Sequence, residues 1–201
     1  MSTTKIIRSP GRPRRFDPDS AIPVAQQMFH QFGYDAVSIT DFTNAWGIKA
    51  PSFYAAFGNK MGLFQRVLDH YTCHNAIPFV EILETKKTVL ESFAEILKQA
   101  AQRYAAHPEQ TGCLVLEGVR SQDQDAQQAT KQLNKNAEQM IREYVAKQYP
   151  DQAEYLTDFL STMLIGMSGK ARQGYSQERL LKIADLATQV IQAELKDLTP
   201  L

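Results

Sequence analysis

The stretch from Ser38 to Lys60, SITDFTNAWGIKAPSFYAAFGNK, leaves the backbone few alternatives. Ser38 followed three residues later by Asp41 has the spacing of a capping box, so a helix is predicted to begin at Ile39. Ile39 and Phe42, three apart, share one face of it. Gly47 ends that helix after about two turns. Helix resumes over Lys49–Phe57, with Phe53 and Phe57 four apart and turned inward. Two short helices joined by a tight glycine turn form a helix-turn-helix, which lays its second helix in the major groove of DNA.

The rest of the chain is also predicted to be helical. Glycine and proline are few, 10 and 9, and no alternating β-branched run occurs. The length of 201 residues allows one domain or two small ones, and 43% hydrophobic residues can fill a core. Asp17-Pro18 has the form of a helix start, but Pro23 favours regular helix from Ser20, where its missing N–H does no harm. Val24, Met28, Phe29 and Phe32 then face inward and Gly33 closes the helix. Asn59 caps a helix running to about Cys73. Further helices are expected over Pro78–Glu84, Thr88–Ala106, Cys113–Arg120 and Asp125–Tyr149. Asp151 and Glu154 suggest a box before the next helix, which Gly174 stops, and Ser176 caps the last one.

Charge is distributed unevenly. The chain holds 22 Lys+Arg and 22 Asp+Glu, a balance that argues against nucleic-acid binding through bulk charge alone. Residues 1–75, however, carry eight bases and five acids, and the remainder fourteen and seventeen. Lys5, Arg8, Arg12, Arg14 and Arg15 all precede the first acid, so residues 1–15 form a flexible basic arm with little to bury. No apolar run is long enough for a membrane span, and the basic N-terminus lacks the apolar segment of a signal peptide. Cys73 and Cys113 have no metal-ligand spacing and make no disulfide framework. A cytoplasmic protein with reduced thiols and no metal, cofactor or membrane partner is expected.

The chain resembles the TetR family of transcriptional regulators. The resemblance rests on Phe29, Gly33-Tyr34, Ser38-Ile39-Thr40-Asp41, Gly47-Ile48-Lys49, Phe53-Tyr54, Phe57, Asn59-Lys60 and Leu63-Phe64, all in register. It is clear over Phe16–Tyr71, and the GRPRRFD arm extends it to Gly11. Thr43 and Trp46 depart from it, standing where the family has small residues. The arm, the Gly-Cys-Leu segment at Gly112 and the GMSGKARQG segment at Gly166–Gly174 resemble one subgroup. The resemblance implies an all-α fold with a three-helix DNA-binding head (16–72) and a ligand-binding, dimerising helical bundle (73–201). It further implies a homodimer on a palindromic double-stranded operator, acting as a repressor, with a small-molecule effector of unknown identity that alters the spacing of the two heads. An enzyme is not implied, and no catalytic residue is assigned.

On the residues themselves, Lys49, Ala50, Pro51 and Ser52 stand at the groove-facing start of the second helix. Lysine can donate to guanine O6 and N7, serine to several base edges, and the alanine methyl or proline ring can pack on a thymine methyl. Ser38 and Thr40 can reach phosphate at the open N-terminus of the first helix. Tyr54 and Lys60 resemble the family residues that contact phosphate. Arg12, Arg14 and Arg15 suit a narrow minor groove. The alternatives are a cap at Ser38, packing at Tyr54, a surface charge at Lys60 and a solubilising tail for the arm. Phe29, Phe53 and Phe57 could stack bases, but their helical spacing marks them as core.

Two stripes at helical spacing mark the last two helices: Leu156, Phe159, Leu160 and Met163, then Leu180, Ile183, Ala187 and Ile191. They are long for the end of a small monomer and form the candidate dimer interface, the alternative being closure of one subunit's core. Phe93, Tyr104, Met140, Tyr144, Phe159, Met163 and Met167 can either enclose an effector or fill a core. Cys113, after Gly112 at a predicted helix start, joins the candidate ligand residues, because a helix N-terminus favours thiolate; the alternative is a buried, inert thiol. Rival readings are a thiol-based redox or electrophile-handling protein using Cys113 with His107, and an architectural DNA-binder that senses nothing.

Overall fold

The computed structural model describes residues 16–86, 88–196 and 198, and every regular element among them is helical. The elements are α1 (Pro18–Phe32), α2 (Ile39–Trp46), α3 (Ala50–Phe57), α4 (Lys60–His74), α5 (Phe79–Thr85), α6 (Val89–Tyr104), α7 (Leu114–Gly118), α8 (Gln124–Ala146), α9 (Ala153–Arg172) and α10 (Gln177–Lys196). Among the described residues no helix is long and apolar enough to cross a membrane.

Local chemistry sets most of the boundaries. Both halves of the Ser38–Asp41 capping box form at α2, and Thr88–Glu91 makes another at α6. Asn59 caps α4 by accepting from Gly62 N at 2.7 Å. Gly47 takes the left-handed conformation (φ 64°), which a side chain rarely adopts, and so turns the chain between α2 and α3.

Three local expectations are corrected. Helix α1 begins at Pro18, capped by Asp17, and carries Pro23 inside it. Pro23 is exposed, and the carbonyl it cannot bond, that of Asp19, lies in the first turn, open to water. The inward face of α1 is Ala21, Ile22, Ala25 and Phe29, with Gln26 and His30, while Val24 and Phe32 are exposed. The two polar residues go inside because they have partners: Gln26 bonds Asn75 and His70, and His30 bonds the Gly112 carbonyl. The box expected from Asp151 and Glu154 does not form, since a 3-10 turn over Pro150–Gln152 leads into α9 without a side-chain cap.

Two apolar clusters organise the chain. The first gathers Phe29, Phe42, Phe53, Phe57, Leu63 and Phe64 from α1 to α4, and draws in Leu114 and Val115 of α7 and Ala126 of α8. Its outer edge is aromatic, with Trp46 lying 5.3 Å from Phe42, 5.6 Å from Phe57 and 5.7 Å from Phe16 between ring centroids. The bulk of Trp46 is thus accommodated by rings that surround it. The second cluster lies in the body, where α6 buries Phe93, Ile96, Leu97 and Ala100 against α9 and α10.

Most of the stripe expected at a dimer interface belongs to that second core. Leu156, Leu160, Leu180, Ala187 and Ile191 are buried within one subunit, and Phe159, Met163 and Ile183 are half-buried against it. The outward apolar groups of α9 and α10 are instead Tyr155, Ile165, Leu186 and Val190. The inner stripe has α6 to cover it, so the unpartnered face is rotated away from the one with the strongest periodicity.

Two sets of polar contacts join α1 and the α1–α2 connection to the body. His30 Nε2 donates to the Gly112 carbonyl at 3.1 Å, and Arg172 donates to the His30 carbonyl at 3.2 Å. Arg172 Nε also lies 3.2 Å from Glu117 Oε2, at ion-pair distance but off the hydrogen-bond line. Asp35 accepts from Ser121 Oγ at 2.7 Å and Gln122 N at 2.9 Å, which holds its carboxyl below the usual range despite partial desolvation. Burial, and then the Arg172 charge, push His30 down to about 4. Its native pKa therefore lies below the ordinary 6.5, so the unfolded chain binds the extra proton between those values, and stability falls as pH falls through that window. The loss attributable to His30 is expected to reach about 3 kcal/mol at pH 4. Urea denaturation of wild type and His30→Gln between pH 7 and 4 checks this, and parallel stability curves would refute it.

Candidate nucleic-acid interface

The aromatic core holds α2 and α3 as one unit and leaves one side of it to solvent. Lys49 is the N-cap of α3, and Ala50, Pro51 and Ser52 form its first turn. All four are exposed, and the Lys49 ammonium has no ion pair or hydrogen bond among the described residues. Tyr54, one turn on, is half exposed, its ring edge against Phe53. Thr40 is exposed in the first turn of α2. All six residues are exposed on the α2–α3 unit.

The remaining expected contacts are placed differently. Ser38 donates its hydroxyl to Asp41 Oδ2 at 2.7 Å and accepts from Asp41 N at 3.2 Å, so its proton is committed to the cap. The Ser38 hydroxyl, and the Ser38 N–H that donates to the same Oδ2 at 2.8 Å, hold the Asp41 carboxyl below its usual range. Lys60 is half-buried, with its ammonium 4.1 Å from the centroid of Tyr34. Burial lowers its pKa, with Asp35 and Asp123 opposing the shift. Tyr34 is pushed up to about 12, by burial first and then by Asp123, Asp125 and Asp35. Arg12, Arg14 and Arg15 lie outside the described residues, but Phe16 packs on Trp46 and Phe57, so residue 16 is fixed beside α2 and α3.

A cavity of about 530 Å³ opens in the body between α4, α5, α6, α7, α8 and α9. Its walls are mainly apolar, with Ile77, Phe79, Val115, Ile141 and Leu164 among them. Of the residues expected to bind a ligand, Tyr104, Cys113 and Met140 line it. Phe93 and Met167 are buried core, Phe159 and Met163 pack against that core, and none of the four reaches the cavity. Tyr144 is engaged elsewhere, its hydroxyl accepting from Ser92 Oγ and donating to the Lys86 carbonyl. The cavity forms where helices diverge, and residues meeting there from α4, α5 and α7 share no periodicity in the sequence. Glu81, Glu84 and Glu138 line it as well, and nothing in their spacing announces that.

Cys113 is the N-cap of α7, a helix of only five residues. Its backbone N–H donates to Ser168 Oγ at 2.9 Å, and its thiol neighbours the buried phenols of Tyr71 and Tyr104. Burial, and next that thiol, raise both phenols well above their ordinary values. His107 is exposed in the α6–α7 connection and shares no hydrogen bond or ion pair with Cys113, so the pair required by a thiol enzyme does not form.

Comparison with known proteins bears on both surfaces. Residues 22–67, which span α1 to α4, match the family model for bacterial regulatory proteins of the tetR family. The chain is 46% identical to the HTH-type transcriptional repressor BdcR of Escherichia coli (strain K12), over 98% of this chain and all of that one. It is 32% identical to the repressor ComR of the same organism, covering 91% of this chain and 92% of ComR. Among solved structures it is similar to a cysteine-substituted form of the TetR family transcriptional regulator CifR bound to a 26 bp double-strand operator. That match has a TM-score of 0.79 and 30% identity, over 89% of this chain and 98% of the other.

Proposed function

The chain belongs to the TetR family of bacterial regulatory proteins, and from that premise we propose that it is a transcriptional repressor that binds a palindromic operator as a homodimer and releases it on binding a small molecule. It acts in the cytoplasm, on double-stranded DNA. Residues 1–15 serve as arm, 16–72 as head and 73–201 as effector-binding and dimerising body. The observation that carries this reading is the exposed, unpartnered first turn of α3, Lys49 to Ser52, on a helix-turn-helix whose opposite side is locked in aromatic core. Lys49 and Ser52 read base edges, with Ala50 and Pro51 available to a thymine methyl. Tyr54, Thr40, Lys60 and the arm make contacts that position the head on the backbone.

The cavity is the effector site, and α7 links it to the head. Cys113, Val115 and Leu116 form part of its wall, and they lie between Gly112, which holds His30, and Ser121, which holds Asp35. An effector that shifts α7 therefore moves both attachments of α1 together.

Band-shift titration against the DNA upstream of the chain's own gene and its neighbours tests the reading, and failure to bind any such fragment over random DNA would refute it. Lys49→Ala or Ser52→Ala is expected to change sequence preference by about 1–3 kcal/mol at one base pair, whereas Tyr54→Phe weakens specific and random DNA alike. Binding-site selection with each variant separates the two roles.

Deleting residues 1–15 is expected to leave the helical circular dichroism unchanged, lower DNA affinity and flatten its salt dependence. Every phosphate that the arm no longer neutralises takes about 0.9 off the slope of log affinity against log salt. Equal slopes for the two proteins would make the arm a mere tail.

The outward face of α9 and α10 supplies the dimer contact. Leu186→Glu with Val190→Glu is expected to give monomer in sedimentation at micromolar concentration, while Ile183→Val leaves the dimer intact. A dimer that survives the double charge substitution would move the interface elsewhere.

A further inference from the structure

We infer that the effector is an amphipathic organic cation, with an apolar body that fills the cavity and a single positive group that meets Glu138. The inference rests on the reading of this cavity as the effector site and specifies the ligand's chemical class. At about 530 Å³ the cavity suits a ligand of drug-like size, and its mainly apolar wall requires that most of that ligand be hydrocarbon. Among the described residues the charged groups along it are all of one sign: Glu81, Glu84 and Glu138 line it, and no described Lys, Arg or His does.

The three carboxylates differ in exposure. Glu81 and Glu84, one turn apart on α5, are exposed, as are the lining residues Val80 and Met140. Glu138, on α8, is half-buried. Its Oε1 accepts from Ser161 Oγ at 2.6 Å and from Asn134 Nδ2 at 3.0 Å, which fixes the carboxylate's orientation. Its Oε2 has no hydrogen bond, and none of the three glutamates has an ion-pair partner among the described residues. A half-buried carboxylate held by neutral donors keeps its negative charge uncompensated, in surroundings where charge interactions exceed their strength in water. A cation entering beside hydrocarbon walls gains that interaction, an anion meets repulsion from all three groups, and a neutral isostere gains only the apolar burial.

Three fluorescent isosteres test the inference on the full chain without DNA: 1-pyrenemethylamine, 1-pyrenemethanol and 1-pyrenecarboxylate. The amine is expected to bind about tenfold or more tighter than the alcohol, and the carboxylate more weakly than both. Glu138→Gln is expected to reduce the amine's advantage several-fold and leave the alcohol's affinity unchanged, and Glu81→Gln with Glu84→Gln to reduce it further. Ala137→Trp, which fills the cavity from α8, is expected to abolish binding of all three. Equal affinity for amine and alcohol, no binding by any probe, or an amine preference that survives Glu138→Gln or Ala137→Trp would each overturn the inference. Equal affinity would leave the cavity as an effector site without charge selection. Charge-selective binding that does not release operator DNA would instead remove the effector reading and leave the ligand class standing.

Discussion

The placement of the DNA-facing helices relative to the cavity depends on one close approach, at Gly112. Its φ of 79° lies where side chains are rarely tolerated, and an added Cβ would meet Ser168 Oγ at 2.8 Å and the Ser168 carbonyl at 3.0 Å. With no side chain there, the α6–α7 connection lies against α9, and Cys113 N–H bonds Ser168 Oγ. The Gly112 carbonyl is left to accept from His30. His30 must then be neutral with its proton on Nε2, because a carbonyl can only accept, and the other ring nitrogen is buried without a partner. One backbone position thus joins α9, the cavity wall and the end of α1.

The head's charge explains why its architecture needs help to hold DNA. Residues 16–75 contain Lys49, Lys60 and Arg66 against Asp17, Asp19, Asp35, Asp41 and Asp69, three bases against five acids or a net −2. Lys60 lies over Tyr34, and Arg66 is 3.8 Å from Asp19. Among the described residues of the head, only Lys49 presents an unpartnered positive side chain. On the proposed reading, attraction to phosphate that does not depend on sequence comes chiefly from the five bases of residues 1–15 and from helix N-termini. Such a division suits a repressor that must discriminate, since the folded surface adds little non-specific affinity of its own.

The helices were legible in the sequence because their signals are local. Ser38 with Asp41, Gly47, Asn59 and Thr88 act within a few residues, and each sets a boundary the structure contains. The exposed first turn of α3 was legible for the same reason. Readings failed where a contact spans the chain. Gln26 and His30 look like surface residues until Asn75, His70 and Gly112 are known to face them, and their burial turned Val24 and Phe32 outward. Periodicity found the apolar stripes of α9 and α10 but could not say that α6 covers them. The cavity was the least legible feature, since it is bounded by residues whose common property is only that their helices part.

The position of α7 gives the cavity mechanical access to the DNA face. Helix α7 has five residues, too few to be rigid by its own hydrogen bonds, so its place is set by its neighbours. Leu114 and Val115 pack into the head's apolar cluster, while Cys113, Val115 and Leu116 line the cavity. Val115 therefore has one side against the head's core and another against the cavity. The two ends of the segment are pinned at Gly112 and Ser121, both to the C-terminal part of α1 or the loop after it. A ligand that moves α7 cannot move it relative to α1 without breaking those bonds or disturbing a packed aromatic core. Breaking them leaves polar groups of buried residues such as His30 without partners, so the lower-energy response is for α1, and the α2–α3 unit packed on it, to move with α7.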